Sequence, residues 1–217
     1  LTGVSLIIIF HLARIIGSLF LLVALAGFIE LIFAQKNAYL RILSFILAVF
    51  GSGLGWFAAI FGGFTSDFWV AEMYPFLSVY ANPHFPLGLA ILILFLTFEL
   101  DKSKRVNPFV LLGLGIVEAI VFQFGVVVAI SVSIIYRILS YRRNDQPALR
   151  NVIWFGLGGL PVLLYQYNAI MTDPVLSQWN AQNQTPAPPV WDLIIALSPA
   201  FLCLLVKIFK SRKEILT

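Results

Sequence analysis

The chain has 217 residues, of which 60% are hydrophobic and 11% are charged, and its mean hydropathy is +0.96. Charged residues make up about a quarter of an ordinary soluble domain, so this composition excludes that class and indicates an integral membrane protein. The net charge of +4 does not indicate nucleic acid as a partner, because the basic residues flank apolar runs instead of forming a stripe. The composition predicts the lipid bilayer as the partner.

Seven apolar runs follow one another along the chain, and most of the connections between them are short. They cover roughly residues 6–34, 39–61, 86–99, 108–122, 124–141, 152–171 and 190–209. A helix needs about 20 apolar residues to cross a bilayer, so these runs predict an all-α, polytopic bundle of about seven transmembrane helices. We expect residues 1–217 to be one transmembrane domain of a longer chain, because the sequence starts with Leu1 and the first apolar run follows almost at once.

The longest apolar stretch, from Asn107 to Tyr141, is too long for one upright span. As a single helix its thirty-five residues would be about 52 Å long, whereas the hydrocarbon core is about 30 Å thick. Basic residues precede and follow the stretch, which places both of its ends on the cytoplasmic side. We therefore predict two short spans that turn near Gln123 and Gly125, with Glu118 close to the turn. A re-entrant hairpin is the alternative.

The basic residues are distributed very unevenly between the two sides of this topology. With seven spans, all but one of the fourteen Lys and Arg residues fall on the same side, and the exception is Arg14. Membrane proteins concentrate Lys and Arg in their cytoplasmic loops, so the pattern predicts an outer N-terminus and a cytoplasmic C-terminus. The long loops 62–85 and 172–189 contain no Lys or Arg and would share the outer face.

His11 and Arg14 are three residues apart near the outer end of the first predicted helix, and residues at this spacing share one helix face. A basic side chain on the outer side opposes the orientation rule, and charges in or beside the membrane indicate a functional site. We interpret the pair as a binding site for an anion such as a lipid phosphate. The alternatives are that Arg14 extends to the lipid headgroups or pairs with Glu118 or Asp67.

Loop 62–85 interleaves polar residues with aromatic residues, which predicts a short helix along the membrane interface. Its two carboxylates, Asp67 and Glu72, are the candidates for a catalytic base. They are five residues apart, so on one helix they would point about 140° away from each other and would act singly. The alternative role of Asp67, or of Ser66, is to cap a helix that starts near Phe68.

Asn82 and His84 come directly before the third apolar run, which has only about fourteen residues and is too short to cross a membrane alone. An extended Asn-Pro pair at the start of a helix presents free N–H groups toward the outer face, where His84 can bind a phosphate or a metal ion. We include Asn82 and His84 among the substrate-binding candidates, and a divalent metal ion is the candidate cofactor. The alternative for His84 is a structural hydrogen bond.

Loop 172–189 is rich in proline and in side-chain amides, which predicts an ordered, polyproline-like cover rather than a helix. Its tryptophan and amide side chains pair flat apolar faces with hydrogen-bonding groups, a combination that suits sugar rings. Trp179 and Asn183 are therefore the candidates for sugar binding in this loop.

Four sequence segments carry a resemblance to a known family. They are HLARIIGSLFLL, GSGLGWFAAIFGG followed by SDFW, YPFLSVYANPHFPLGLA, and LPVLLYQYNAIMTDPVLSQWNAQNQTPAPPVWD. Along most of its length the chain resembles the middle and later part of bacterial polytopic proteins that are similar to the GT-C class of membrane glycosyltransferases. The resemblance implies transfer of a sugar from a polyprenyl-phosphate donor at the outer face of the plasma membrane, with an outer-loop carboxylate as the base.

The family's usual catalytic carboxylate lies in a first large outer loop, upstream of the residue that corresponds to Leu1. A second hypothesis is therefore a non-catalytic accessory subunit of a larger membrane complex, with other membrane subunits as partners. A transporter is less well supported, because the sequence has no internal repeat and only Glu30 and Glu118 come near the middle of the membrane.

Overall fold

The computed structural model describes residues 5–101, 105–140, 149–184 and 187–206. Within these residues the protein is all-helical and has no strand, as the sequence predicts. The α-helices in chain order are α1 (Leu6–Ile32), α2 (Ala38–Phe50), α3 (Gly55–Ile60), α4 (Pro75–Tyr80), α5 (His84–Leu100), α6 (Pro108–Val121), α7 (Gln123–Ser140), α8 (Leu149–Thr172), α9 (Pro174–Gln182) and α10 (Val190–Ala196). A 3-10 turn, Ser66–Phe68, lies between α3 and α4, and residues 198–206 are again helical.

Several helices begin where a side chain caps the first turn. Asn37, Asn107 and Asp173 each accept a hydrogen bond from a backbone N–H group of the helix that follows. After Asp173, the first helical residue is Pro174, whose fixed φ and missing N–H group suit this position. The prediction of a polyproline-like cover in loop 172–189 is therefore wrong for α9, because the Asp-Pro pair starts a helix.

Helices α5 to α8 form the core of the bundle. α6 and α8 run parallel and touch from Arg150, which donates to the Val106 carbonyl oxygen, to Gln166, which donates to the Ala119 carbonyl oxygen. α5 and α7 are parallel to each other and antiparallel to α6 and α8. Buried apolar side chains from all four helices fill the centre.

Helices α1 and α2 pack on the outside of this core. α1 runs parallel to α5, since Arg14 contacts Tyr80 and Gly17 lies against Pro83, where a Cβ atom would be 3.1 Å from the carbonyl oxygen. α2 returns antiparallel along α1. Apolar side chains of α1, α2 and α5 form a second buried cluster between them.

The bundle has two chemically different ends. The basic end contains the ion pair between Arg137 and Glu99, at 2.8 Å, and the start of α8. The loop end contains the starts of α1, α5 and α7 and the end of α8. Among the described residues, Arg14 is the basic side chain at the loop end, and the basic end has Lys36, Arg41, Arg105, Arg137 and Arg150. The remaining basic residues of the predicted pattern lie outside the described residues, at positions 102, 104, 142, 143, 207, 210, 212 and 213.

The apolar stretch that starts at Asn107 is broken, which confirms the predicted turn. α6 and α7 are separated by Phe122, whose backbone angles of φ −146° and ψ 80° are not helical. The start of α6 and the end of α7 both lie at the basic end, so the two helices fold back on each other. Glu118 lies next to the turn as predicted, because its Oε1 atom occupies the space beside Gly125.

The segment between α2 and α4 is joined to α10 by hydrogen bonds. The backbone N–H and the hydroxyl of Ser66 both donate to Oδ1 of Asp192, at 2.7 and 2.6 Å. The Leu54 N–H group donates to the Ile195 carbonyl oxygen at 3.2 Å. Loop 62–85 therefore lies at the same end of the bundle as α10. The common outer face of the two long loops stays a prediction.

Two helices, α1 and α7, are long and apolar enough to cross a membrane by length and composition. The core helix of a soluble protein and a signal sequence pass the same test, so these two helices alone do not establish about seven spans. α2, α5 and α6 are shorter apolar helices of 13, 17 and 14 residues. The number of spans and their orientation therefore stay predictions.

Candidate functional site at the loop end

Arg14 is held at the loop end by two neighbours. Its Nη1 atom donates to the Tyr80 carbonyl oxygen at 3.2 Å, and its Nη2 atom lies 3.0 Å from Nδ1 of His11. The contact confirms that His11 and Arg14 share a helix face. A guanidinium has five N–H donors, and these two interactions use two of them. The half-buried cation therefore keeps donors with which it can bind an anion.

His84 is the first residue of α5 and lines two adjoining cavities. The apolar cavity, of about 370 Å³, is lined by Ala13, Pro83, His84, Leu87, Ile120 and Val121. The second cavity, of about 330 Å³, is the more polar of the two, and we call it the polar cavity. Phe85, Val121, Phe122 and Phe124 line it together with Glu72, His84 and Gln123. The imidazole thus stands where an apolar groove meets a more polar one.

The helix break between α6 and α7 builds the wall of the polar cavity. Phe122 leaves the helical path there, and its side chain covers Gly88 of α5, where a Cβ atom would collide with it at 2.2 Å. Both α5 and α7 start in this wall, with His84 and Gln123 as their first residues. The first turn of a helix leaves backbone N–H groups without partners inside the helix and carries a partial positive charge. In these two turns the Phe85 and Gly125 N–H groups donate to the Asn82 and Phe122 carbonyl oxygens and Pro86 has no N–H group. The remaining N–H groups and the partial positive charge of the two helix starts favour a negatively charged or oxygen-rich ligand.

Glu72 is half-buried in the wall of the polar cavity, together with His84. Of the two predicted catalytic carboxylates, Glu72 is the one that shares a cavity with His84, the residue predicted to bind the phosphate. Among the described residues, no group of three or more His, Cys, Asp or Glu side chains is arranged to hold a metal ion.

Asp67 has a different position from Glu72 and lines neither of these two cavities. It is buried, with 5% of its surface exposed, and both of its oxygens are used inside the protein. Oδ2 accepts a hydrogen bond from the Gly55 N–H group at 3.0 Å, and Oδ1 accepts one from the Thr65 hydroxyl at 2.6 Å. Asp67 therefore holds the start of α3, twelve residues earlier in the chain, and lies within the 3-10 turn instead of capping a helix that starts near Phe68.

Tyr74 adds a further bond between loop 62–85 and α10. Its hydroxyl donates to the Ala196 carbonyl oxygen at 2.5 Å. Burial raises the pKa of the Tyr74 phenol, and the nearby Asp67 carboxylate raises it further. The phenol is therefore a neutral hydrogen-bond donor at physiological pH.

The remaining predicted binding residues are exposed at the loop end but do not line either cavity. Asn82 precedes α5, and its carbonyl oxygen accepts a hydrogen bond from the Phe85 N–H group at 3.2 Å. Trp179 and Asn183 lie at the end of α9, where the Asn183 amide donates to the Trp179 carbonyl oxygen at 2.7 Å. The fold thus places Glu72 in the same cavity as His84, whereas Asn82, Trp179 and Asn183 line neither cavity.

Two residues at the helix break have a significance that sequence reasoning missed. The sequence predicts Gln123 only as part of a turn, yet it lines the polar cavity. Its signal in the sequence is a lone amide inside a long apolar stretch. The sequence predicts Glu118 near the turn but not its burial in the core. Glu118 is 0% exposed, and neither carboxylate oxygen has a hydrogen-bond partner among the described residues.

No protein-family model, no curated protein and no solved structure matches this chain. The resemblance to membrane glycosyltransferases therefore stays a prediction that depends on the four sequence segments quoted above.

Proposed function

We propose that the chain is a multi-pass protein of the bacterial plasma membrane, with about seven spans, an outer loop end and a cytoplasmic basic end. The separation of charge supports this orientation, because Lys and Arg concentrate at cytoplasmic ends. The apolar outer faces of the helices support a lipid environment. Soluble monomers rarely expose contiguous apolar patches of more than a few hundred Å², whereas here large side chains are exposed along most helices, for example Val23, Leu47, Ile138 and Leu164.

The site at the loop end would bind a phosphate-bearing lipid. The observation that carries this proposal is the position of His84 between the apolar and the polar cavity. A lipid phosphate has the matching chemistry, with a long apolar chain on one side of the anion and a polar substituent on the other. His84 and the first turns of α5 and α7 would supply hydrogen-bond donors for the phosphate. Arg14 lines neither cavity but follows Ala13, which lines the apolar one, and would supply the positive charge.

The reaction that best fits this ligand is transfer of a sugar from a polyprenyl-phosphate donor. The phosphate is then the leaving group, and His84 and Arg14 would stabilise the negative charge that grows on it in the transition state. Glu72 would act as the base that takes a proton from the acceptor hydroxyl, since it lines the same cavity as His84. Gln123 supplies an amide that can hydrogen-bond to hydroxyl groups of the sugar.

The test is the binding of a polyprenyl phosphate to the purified chain in lipid nanodiscs. A hydrogen bond to a charged group contributes about 1.5–3 kcal/mol, so His84→Ala should weaken binding by roughly tenfold or more. Arg14→Ala should also weaken it, while Arg41→Ala provides the matched control, because it removes an arginine from the opposite end. Equal affinities of the original protein, His84→Ala and Arg14→Ala would refute the lipid-phosphate site.

The second candidate function is a non-catalytic subunit of a larger membrane complex. It is favoured by the role of Asp67, because both of its carboxylate oxygens are used in structural hydrogen bonds. Glu72 then remains as the single predicted carboxylate that lines a cavity and could act as a catalytic base. If the purified chain bound the lipid phosphate, and lost affinity in Arg14→Ala and His84→Ala, but showed no sugar transfer from a polyprenyl-phosphate donor, the subunit would be the better assignment.

A further inference from the structure

The segment 53–69, which contains α3 and the 3-10 turn, has its polar groups inside and its large apolar groups outside. Thr65, Ser66 and Asp67 are buried. Phe61 and Phe64 are 79% and 69% exposed, and Trp56 is 54% exposed. Such an arrangement is the reverse of that expected for a loop in water, where polar side chains face the solvent.

The buried polar groups of this segment are satisfied by the protein itself. The Asp67 carboxylate accepts from Gly55 and Thr65, and the Asp192 carboxylate accepts twice from Ser66. Most of the remaining backbone N–H groups donate to nearby carbonyl oxygens, including those of Leu54, Phe57, Phe61, Gly62, Gly63, Phe68 and Trp69. Internal satisfaction of an irregular backbone is necessary where no water is available to form these bonds.

The segment also has no charge on its outer surface. Between Arg41 and Asp67 the sequence contains no Asp, Glu, Lys, Arg or His residue. Three of the exposed rings form a connected group, since Phe57 lies 5.7 Å from Trp56 and 5.8 Å from Phe61 between ring centroids, while Phe64 stacks on Phe68 at 5.5 Å. Aromatic side chains are enriched where membrane proteins meet the headgroup region of the bilayer.

We propose that residues 53–69 are embedded in the lipid leaflet at the loop end, with the exposed aromatic side chains in contact with acyl chains and Asp67 and Asp192 replacing water as the hydrogen-bond acceptors. The inference rests on the membrane location proposed above. It assigns lipid, and not a partner subunit, as the cover of this aromatic surface. An apolar, uncharged surface suits hydrocarbon, whereas protein interfaces carry a polar rim.

The experiment uses Cys203, the only cysteine of the chain, which is replaced by serine to make a background for single labels. Phe61→Cys and Asn183→Cys, two exposed positions at the loop end, are each labelled with a nitroxide in nanodiscs that contain the purified chain alone. Relaxation is measured with oxygen, which concentrates in lipid, and with a water-soluble nickel chelate. We expect the oxygen-to-nickel accessibility ratio to be several-fold higher at position 61 than at position 183.

Equal ratios at the two positions, or a higher ratio at position 183, would overturn the inference. A second measurement guards against a local effect of the label: brominated lipids should quench tryptophan fluorescence, and Trp56→Phe should remove part of the quenched signal. No loss of quenched signal in that variant would equally overturn it. If the chain fails to incorporate into nanodiscs at all, the membrane location itself is wrong, so the two failures are distinguishable.

Discussion

At the residue scale, Asp67 and Glu72 have the same chemistry but different surroundings. Asp67 is enclosed by Gly55 and Thr65, so its carboxylate is a structural acceptor. Glu72 lines a cavity with His84 and is free of such bonds in the described residues. Asp67 can therefore have a structural role, because burying a carboxylate costs less free energy when donors from the protein replace its hydrogen bonds to water.

Asp67→Ala should lower the stability of the protein. The substitution leaves the Gly55 N–H group and the Thr65 hydroxyl buried without their acceptor, and each unsatisfied group costs about 1–3 kcal/mol. The measurement is the free energy of unfolding in detergent. Asp173→Ala is the control, because it removes an exposed helix cap and should cost only about 1 kcal/mol.

Asp67→Asn separates this structural role from catalysis. The asparagine keeps one oxygen acceptor and nearly the same shape, so we expect partial recovery of stability. If the proposed sugar transfer is the activity of the chain, this variant should retain it in full. Loss of transfer at unchanged stability would show instead that Asp67 is the base.

At the element scale, the contact between α6 and α8 depends on glycine residues. A Cβ atom on Gly158 would lie 2.1 Å from the Leu112 carbonyl oxygen, and one on Gly115 would lie 2.1 Å from the Phe155 carbonyl oxygen. Close backbone approach through small residues is the main packing mode of helices in membranes, where no hydrophobic driving force acts between them. The glycines therefore set the distance that places the α6–α7 turn beside α5.

Gly158→Ala should destabilise the bundle, because the new methyl group would push a backbone carbonyl away. Overpacking of this kind costs about 1–3 kcal/mol. Gly113→Ala is the matched control on the partner helix, since nothing lies within 4 Å of its Cβ position. Alanine is the better helix former by about 1 kcal/mol, so Gly113→Ala should be neutral or stabilising. Thermal unfolding midpoints of the two variants measure the difference, and equal midpoints would contradict the packing argument.

At the scale of the whole molecule, the chain separates its charges between two ends. In the described residues, Arg14 stands at the loop end and five other basic residues stand at the basic end. The proposed orientation follows from this separation, since positive charges remain on the cytoplasmic side during insertion.

Single-cysteine labelling in the Cys203→Ser background tests the orientation. An impermeant maleimide should label Gln182→Cys in intact cells, because α9 lies at the loop end. It should label Lys36→Cys only after permeabilisation, since Lys36 lies in the connection between α1 and α2 at the basic end. Labelling of both positions in intact cells, or the reverse pattern, would contradict the proposed topology.

Much of the architecture could be predicted from local patterns. The bounds of α1, α6 and α7 follow from apolar runs and their ends, and the turn at Phe122 follows from length and flanking charge. Helix α9 differs from the prediction because the prolines and amides of its loop indicate an extended cover, whereas the Asp173–Pro174 pair is a helix-start signal.

The sequence by itself determined the helical class, the number of apolar runs and the separation of basic residues, since these depend on composition and on neighbours along the chain. Only the tertiary structure decided which polar residues meet. It placed Glu72 and Gln123 with His84, and it paired Asp67 with Gly55 and Ser66 with Asp192, which is 126 residues away in the chain. The physical reason is that these contacts depend on how closely the helices approach each other and on where α6 ends. The hydrophobic pattern of the sequence does not distinguish a polar residue that lines a cavity from one that is buried in the core.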